Sequence, residues 1–418
     1  MPPLIVTDSA YEFVPPHAGT IWPRLLSWYA IRLLRTRHGI VDVEVRGAER
    51  IAELLQQKHG LLLAPNHCRI SDALVLQHLT RTLRQPFFVM ASSHLFRRNS
   101  VLKWALRRMG AFSVYREGVD RQAVETAIDI MIEGKRPLVI FPEGALNQAN
   151  DRLNALMEGV SFIARTAAKK INKRNAETHA ERGVFVVPIA LRYLYHGDLD
   201  STVGPMLSDI ERRLSWRTAE KTPLVERIYK VGNALLGLKE TEFIGQAQSG
   251  TIGDRMQQLI DHLLCPMEEE WIDGRNNGSA VNRVKELRKA IVPDMIEGDD
   301  GDGEEVKLTQ LELDRRWRQL EDMELAQALS LFPRDYIASN PTVDRILETV
   351  ERMAENLTGE AQSHSPMKAI IQVGEPFRTS GKRDRNVDGD PVLSHIEQNL
   401  TEMLAALSSE SQPYTGRT

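Results

Sequence analysis

The chain has 418 residues, 42% of them hydrophobic, so it can bury a large core and form one large or two modest domains. Its net charge of −4 excludes a globally basic, nucleic-acid-binding protein. Two cysteines are too few for a disulfide framework or a zinc site, and they fit a reducing cytosol. Within residues 1–120, however, 16 basic residues outnumber 9 acidic ones, which suits an anionic substrate, a membrane surface or an ordinary solvated surface.

The N-terminal segment, residues 1–40, lacks the basic and apolar regions of a signal peptide and then enters a helical stretch, "IWPRLLSWYAIRLLRTRHG". One apolar face is predicted for this helix from the spacing of Trp22, Leu25, Leu26, Tyr29 and Leu33. Such a face beside arginines either lies in a bilayer interface or packs on the core. Uninterrupted apolar runs stay well short of the roughly 20 residues of a spanning helix, so any membrane association is expected to be peripheral.

Short apolar runs then alternate with helical spacing over residues 41–197. "VDVEVRG", "LLLAP", "FFVM", "PLVIFP" and "GVFVVPIAL" read as strands, and 72–84, 95–109, 120–134 and 156–171 read as helices. This alternation predicts an α/β domain with a mostly parallel sheet flanked by helices. Residues 198–365 are charged and helix-like, without an evident internal repeat, and 366–418 return to a strand and a closing helix. A mostly helical insertion therefore interrupts the α/β domain.

A histidine and an aspartate follow the second apolar run, in "LLLAPNHCRISD". A strand that ends at Pro65 places His67 at the carboxyl edge of the sheet, where open α/β folds locate their sites. If a helix starts near Asp72, the imidazole can fold back onto that carboxylate and present its other nitrogen as a base. The alternative is that Ser71 or Asp72 only caps the helix.

Three further stretches contain candidate ligand-binding residues near the ends of predicted strands. In "GAFSVYREG", Arg116 could grip a phosphate by paired hydrogen bonds, or it is a surface arginine. In "VIFPEGALNQANDRL", Glu143 and Gly144 form either a ligand-binding turn or a plain Pro-Glu-Gly turn. In "VVPIALRY", Pro188 interrupts an apolar strand and suggests an edge, a bulge or a bend shaped by a ligand.

Together, in this order, the four stretches resemble the blocks of the glycerophospholipid acyltransferase family, which includes lysophosphatidic acid acyltransferases. "NHCRISD" looks like the first block, "GAFSVYREG" like the second, "FPEG" like the third and "VVPIAL" like the fourth. The resemblance covers residues 40–195 and 366–408, about half of the chain. It implies a glycerol-3-phosphate acyltransferase-like fold and an O-acyltransferase of phospholipid biosynthesis.

The resemblance also implies a role for each matching residue. His67 would be the general base, oriented by Asp72, that activates an acceptor hydroxyl for attack on an acyl thioester. Arg116 would bind the phosphate of a lysophospholipid or glycerophosphate acceptor, Glu143 and Gly144 would line the acceptor pocket, and Pro188 would shape the acyl or thioester site. Acyl-CoA or acyl-carrier protein would be the co-substrate, and the chemistry needs no metal and no other cofactor. The expected location is the cytoplasmic face of the membrane, by peripheral association.

Two departures from the family pattern leave alternatives open. Ala145 and Leu146 stand where many members have threonine and arginine, which removes a cation from the phosphate site; Arg152 could replace it. The acceptor could then be another hydroxylated lipid, such as an ornithine lipid. The helical insertion has no counterpart in minimal members, and a non-catalytic lipid-binding scaffold is a third possibility. A serine hydrolase and a P-loop nucleotide site are disfavoured, since neither G-x-S-x-G nor G-x-x-x-x-G-K-[ST] occurs.

Overall fold

A computed structural model describes the chain over residues 11–116, 118, 120–178, 181–274, 278–295, 308–332, 335–338, 340–382 and 389–416. The expected N-terminal segment is therefore seen from residue 11 onward, and residues 1–10 lie outside the described part. Two compact units make up these residues. The first comprises 12–196 and 364–410, and the second comprises 197–363 with the described residues at the two chain ends.

A mostly parallel sheet forms the centre of the first unit. Its eight strands are β1 (Ile40–Arg46), β2 (Gly60–Pro65), β3 (Phe88–Ser92), β4 (Ala111–Val114), β5 (Leu138–Val139), β6 (Val184–Tyr195), β7 (Met367–Val373) and β8 (Phe377–Arg378). They lie in the order β1-β7-β6-β2-β5-β3-β4, with β8 beside β6. Only the β6–β7 and β6–β8 pairs are antiparallel. The predicted α/β fold class is confirmed.

Helices cover this sheet and complete its core. They are α1 (Ile21–Arg37), α2 (Glu49–Gln56), α3 (Asp72–Thr82), α4 (His94–Arg97), α5 (Ser100–Met109), α6 (Arg121–Glu133), α7 (Glu158–Thr178) and, at the C-terminal end of the unit, α14 (Pro391–Ser408). Apolar side chains of α6, α7 and α14 pack on strand residues such as Leu62, Leu138 and Val186. Since β2 to β6 run in one direction, their carboxyl ends meet at one edge of the sheet, where the predicted site residues follow.

Pro188 lies inside the sheet and not at an edge, because β6 has neighbours on both sides. It pairs with Ala64 of β2 on one side. On the other side its carbonyl accepts the Gly374 N–H at 2.9 Å, where β7 has ended and β8 has not yet begun. A proline lacks an N–H, so this interruption between two partner strands lets β6 accommodate it without losing a ladder bond.

The apolar stripe of the first helix does not form its buried face. Pro23, Ser27, Ala30 and Leu34 form its buried face. Of the five residues in the predicted apolar stripe, Leu25 and Tyr29 are exposed, and the other three are half-buried. Small side chains let the helix approach its neighbours closely, so α1 turns large apolar residues outward. No helix in the described part of the chain is long and apolar enough to cross a bilayer.

The second unit is helical. It contains α8 (Leu199–Arg213), α9 (Leu224–Ile244), α10 (Ile252–Trp271), α11 (Ala280–Ile291), a short 3₁₀ turn (Pro293–Met295), α12 (Gln310–Ser330) and α13 (Val343–Thr358). Its own apolar core is built by α9 to α12, around residues such as Leu259, Leu264, Leu287 and Met323.

Three successive helix junctions of this unit use the same kind of buried Arg–Glu ion pair. The pairs are Arg227–Glu211 at 2.9 Å, Arg255–Glu240 at 2.7 Å and Arg283–Glu268 at 2.8 Å. Each arginine is the fourth residue of its helix, and the three arginines are spaced 28 residues apart. Paired charges buried in this way are costly to separate, which favours one packing arrangement of consecutive helices.

Candidate active site

Asn66 anchors the turn that carries the predicted base. Its side-chain amide donates to the Leu191 carbonyl at 3.1 Å, and its side-chain oxygen accepts the Leu191 N–H at 2.6 Å. These two bonds, together with the Asn66 N–H to the Ile189 carbonyl, continue the pairing of β2 with β6 beyond the end of β2. The turn before α3 is thereby held at the carboxyl edge of the sheet.

His67 and Asp72 form the hydrogen-bonded pair that the sequence predicts. Nδ1 of His67 lies 2.8 Å from Oδ2 of Asp72, which is fully buried. An ionised carboxylate only accepts, so Nδ1 carries the proton and Nε2 keeps a lone pair. Among the described residues Nε2 has no protein partner, the side chain is one-quarter exposed, and its ring stacks on Phe141 with centroids 4.1 Å apart.

Asp72 does more than begin a helix. Its Oδ2 also accepts the backbone N–H groups of Cys68 and Arg69, at 2.8 and 3.0 Å, and both residues precede α3. Its Oδ1 accepts a hydrogen bond of 2.5 Å from the hydroxyl of Tyr193 on β6. The carboxylate therefore holds the turn, the imidazole and a central strand together, which a simple helix cap would not do.

Glu143 and Asn147 hold the backbone of His67 from both sides. Oε1 of Glu143 accepts the His67 N–H at 2.7 Å, and the Asn147 N–H donates to the His67 carbonyl at 2.7 Å. Oε2 of Glu143 accepts from the Asn147 side chain at 3.0 Å and from the Asn154 N–H at 2.9 Å. Burial raises the pKa of Glu143 to about 7, although these three donors favour the carboxylate.

Gly144 and Arg116 lie beside this turn. Gly144 has a φ of +66°, and a Cβ there would come 2.9 Å from Cγ of Met157, so the position requires glycine. Nη2 of Arg116, just after β4, donates to the Gly144 carbonyl. The structure thus brings the second and third predicted stretches into direct contact.

A second arginine, Arg98, adds positive charge near Arg116. The pKa of His94, on α4 after β3, is lowered to about 4 by burial and then by the charges of Arg116 and Arg98. His94 is therefore neutral near pH 7, and its Nδ1 lies 2.9 Å from the Ser92 hydroxyl. The carboxyl ends of β3 and β4 consequently carry the guanidinium groups of Arg116 and Arg98 around a neutral imidazole.

The contacts of Arg152 and Pro188 link them to the His67 turn through other residues. Arg152 is half-buried in the loop between β5 and α7, and its carbonyl accepts the Asn147 side-chain amide at 2.7 Å. Its substitution for the missing family arginine remains a prediction. Pro188 is buried in β6, three residues before the Leu191 carbonyl that binds Asn66.

Sequence reasoning missed Asn66, Asn147, Asn154 and Tyr193. Asn66 directly precedes the predicted base, and an asparagine just past a strand end was the available signal. Asn147 reaches Glu143 across 4 residues, Asn154 reaches it across 11, and Tyr193 reaches Asp72 across 121. No local spacing reveals the longer two contacts. No group of three or more His, Cys, Asp or Glu side chains within the described ranges is arranged to hold a metal ion.

The fold and these side chains define an α/β domain with a histidine–carboxylate pair at the carboxyl edge of a mostly parallel sheet. Residues 42–192 match the family model described as Acyltransferase. Over 116 residues the chain is 28% identical to the 1-acyl-sn-glycerol-3-phosphate acyltransferase of Streptococcus pneumoniae (strain ATCC BAA-255 / R6). That alignment covers 28% of this chain and 40% of the relative, so the chain spans about two-fifths of the relative's length.

Residues 42–192 are thus similar to acyltransferase domains, which agrees with the resemblance drawn from the sequence blocks. This stretch contains the His67–Asp72 pair, the Glu143–Gly144 turn and Pro188, whereas the helical unit begins just beyond it.

Proposed function

We propose that this protein is an O-acyltransferase of phospholipid biosynthesis that moves a fatty acyl group from acyl-CoA or acyl-carrier protein to a hydroxyl of a glycerophosphate-type lysolipid. The observation that carries the proposal is the His67–Asp72 bond of 2.8 Å within a stretch that matches the Acyltransferase family model. Nε2 of His67 has no hydrogen-bond partner among the residues that the structure describes. A base of this kind and a pre-activated thioester suffice for acyl transfer.

In the proposed reaction, Nε2 of His67 takes the proton from the acceptor hydroxyl. The acceptor oxygen then attacks the thioester carbonyl, so a C–O bond forms as the C–S bond breaks. The imidazolium returns its proton to the departing sulfur, which leaves as a thiol. Asp72 stabilises the transient positive charge on His67, because its buried carboxylate accepts the Nδ1–H at 2.8 Å. No covalent enzyme intermediate is required.

The acceptor's phosphate is proposed to bind Arg116. Support comes from the position of Arg116 beside the Glu143–Gly144 turn that holds His67, and from the neighbouring charge of Arg98. Guanidinium groups suit phosphate because they donate in a planar fork. Ala145, which is buried, and Leu146 supply no cation here, so an acceptor without phosphate, such as an ornithine lipid, is the second candidate.

Peripheral association with the cytoplasmic face of a membrane is part of the proposal. The exposed face of α1 carries Ile21, Leu25, Trp28 and Tyr29, and Trp104 of α5 packs edge-on against Trp22 with ring centroids 4.9 Å apart. Neither helix contains an acidic residue, while α1 has four arginines and α5 has three basic residues. Exposed aromatic and apolar residues beside cations suit an anionic lipid surface. The chain contains two cysteines, and so low a number fits a reducing compartment.

The test is an acyl-transfer assay of the purified protein with acyl-CoA and acyl-carrier-protein donors against a panel of lysophospholipids, glycerol 3-phosphate and ornithine lipid. We expect transfer to phosphate-bearing acceptors, and its loss by at least about a thousandfold in His67→Ala, because the base is removed. His78→Ala, which alters a half-buried histidine on α3, is the matched control and should keep its activity.

Undiminished transfer by His67→Ala would refute the mechanism. Transfer only to the ornithine lipid would select the second acceptor class. A wild-type protein that binds vesicles but transfers to no acceptor would favour the lipid-binding scaffold.

A further inference from the structure

Tyr193 is buried in β6, two residues beyond the Leu191 carbonyl that anchors Asn66. Its backbone N–H is accepted by the Asn150 side chain at 3.0 Å, and its backbone pairs with Ala369 of β7. Its hydroxyl donates to Oδ1 of Asp72 at 2.5 Å. Tyr193 is therefore fixed by a central strand and reaches the carboxylate that holds the proposed base.

The two oxygens of Asp72 have separate partners. Oδ2 accepts from Nδ1 of His67 and from two backbone N–H groups of the turn before α3. Oδ1 faces the Tyr193 hydroxyl, with Sγ of Cys68 further away at 3.8 Å. A carboxylate held by a donor on each oxygen cannot rotate about its Cβ–Cγ bond without breaking a charge-assisted bond. The Tyr193 bond thus keeps Oδ2 directed at His67.

The hydroxyl of Tyr193 is a donor throughout the working pH range. Burial and the negative charge of Asp72 raise the pKa of Tyr193 well above its ordinary value. The other charged groups at this place are Arg69, whose guanidinium lies 5.4 Å from the centre of the Tyr193 ring, and Glu143, whose carboxyl binds the His67 N–H.

We propose that Tyr193 is a positioning residue of the acyltransferase, which acts through Asp72 to hold the His67 imidazole in the orientation and tautomer that leave Nε2 as the base. This inference rests on the proposed function. Tyr193 touches no reacting atom, and its contribution reaches the reaction only through the Asp72–His67 bond. Its hydroxyl proton also withdraws charge from Oδ1, which moderates the attraction between Asp72 and a protonated His67.

The test is Tyr193→Phe, which deletes only the hydroxyl. Loss of one hydrogen bond to a buried charge should lower kcat roughly tenfold to a hundredfold, with KM for donor and acceptor unchanged. Since Oδ1 would then carry more charge, the protonated imidazole is favoured, and the acid side of the kcat–pH profile should move to higher pH. In an Asp72→Asn background, Tyr193→Phe should have little further effect, because the two residues act as one unit.

The matched control is Tyr195→Phe. Tyr195 lies two residues along β6 on the same face of the strand, it is buried as well, and it is not bonded to Asp72. A purely structural contribution of a buried phenol would lower the melting temperature in either variant but would leave the pH profile in place. We expect the profile of Tyr195→Phe to coincide with that of the wild type.

An unchanged kcat and pH profile in Tyr193→Phe would overturn the inference, as would equal effects of the two tyrosine variants. If Tyr193→Phe does not fold, 3-fluorotyrosine at position 193 keeps the ring and gives a stronger donor. The acid side should then move to lower pH, and an unmoved profile would overturn the inference. An inactive wild type would refute the proposed function instead, so the two failures can be told apart.

Discussion

Two opposing effects act on the charge of the Glu143 carboxylate. Burial disfavours its negative charge, whereas three N–H donors, from His67, Asn147 and Asn154, stabilise that charge. The folded pKa of about 7 lies above the ordinary value of 4.5. Between those two pH values the folded protein binds more protons than the unfolded chain, so the free energy of unfolding falls as pH rises from about 4.5 to about 7.

Glu143→Gln tests this balance at the residue scale. The variant lacks the titration, so the wild type should lose up to about 3 kcal/mol relative to the variant between pH 4.5 and 7.5, which urea unfolding across that range measures. The amide nitrogen of Gln would also face at least one N–H donor in place of an accepting oxygen, so acyl transfer should fall as the His67 turn loosens. Parallel pH dependence of unfolding in the two proteins would contradict the assignment.

At this scale the sequence predicts what is local. His67 and Asp72 are five residues apart at a strand end, so their pairing follows from chain geometry. Tyr193 reaches Asp72 across 121 residues, and Glu143 reaches His67 across 76, so both contacts depend on the order of strands in the sheet. The strand order is determined by the whole fold, so it cannot be predicted from the spacing of residues along the sequence.

Among the elements, periodicity predicted most helices and strands, because burial of one face leaves a period of 3.6 or 2 in the sequence. It left the orientation of α1 open between the core and a bilayer, and the structure buries Ser27 and Ala30 there while large side chains are exposed. The small residues of α1 form its contact with neighbouring elements. An apolar stripe in a sequence does not show which partner, the protein core or a lipid surface, covers that stripe. The repeated Arg–Glu junctions were missed because only a few positions in each 28 residues recur.

Trp28→Glu tests the exposed face of α1. Trp28 is 76% exposed, so the substitution should leave the fold intact while placing a negative charge where lipid contact is proposed. We expect binding to phosphatidylglycerol-containing vesicles, measured by co-sedimentation, to weaken about tenfold or more, and wild-type binding to fall as salt increases. Leu311→Glu alters a residue that is 78% exposed in the helical unit and serves as the control. Equal binding by all three proteins would argue against this face.

At the scale of the whole molecule, we ask whether the first unit can fold without the helical insertion. The positions where the chain leaves and re-enters the first unit bear on this question. Tyr195 at the end of β6 pairs with Met367 at the start of β7, and the His196 N–H donates to the Pro366 carbonyl at 3.0 Å. Antiparallel strands with adjacent ends can be joined by a short turn. The described apolar cluster around the sheet of the first unit, moreover, is built from residues of 12–196 and 364–410.

We therefore expect a chain of residues 12–196 joined to 364–410 by a short Gly/Ser linker to fold. Residues 411–416 are omitted because they pair with the helical unit, through Thr342 with Pro413 and through Tyr414 with Asp200. Calorimetry should show one cooperative transition, against two for the full chain, since each unit has its own core. A deletion that also removes residues 190–196 cuts β6 and the site, so it should not fold. If the shorter chain aggregates or melts without a cooperative transition, the sheet requires the helical unit, and the insertion is part of its folding.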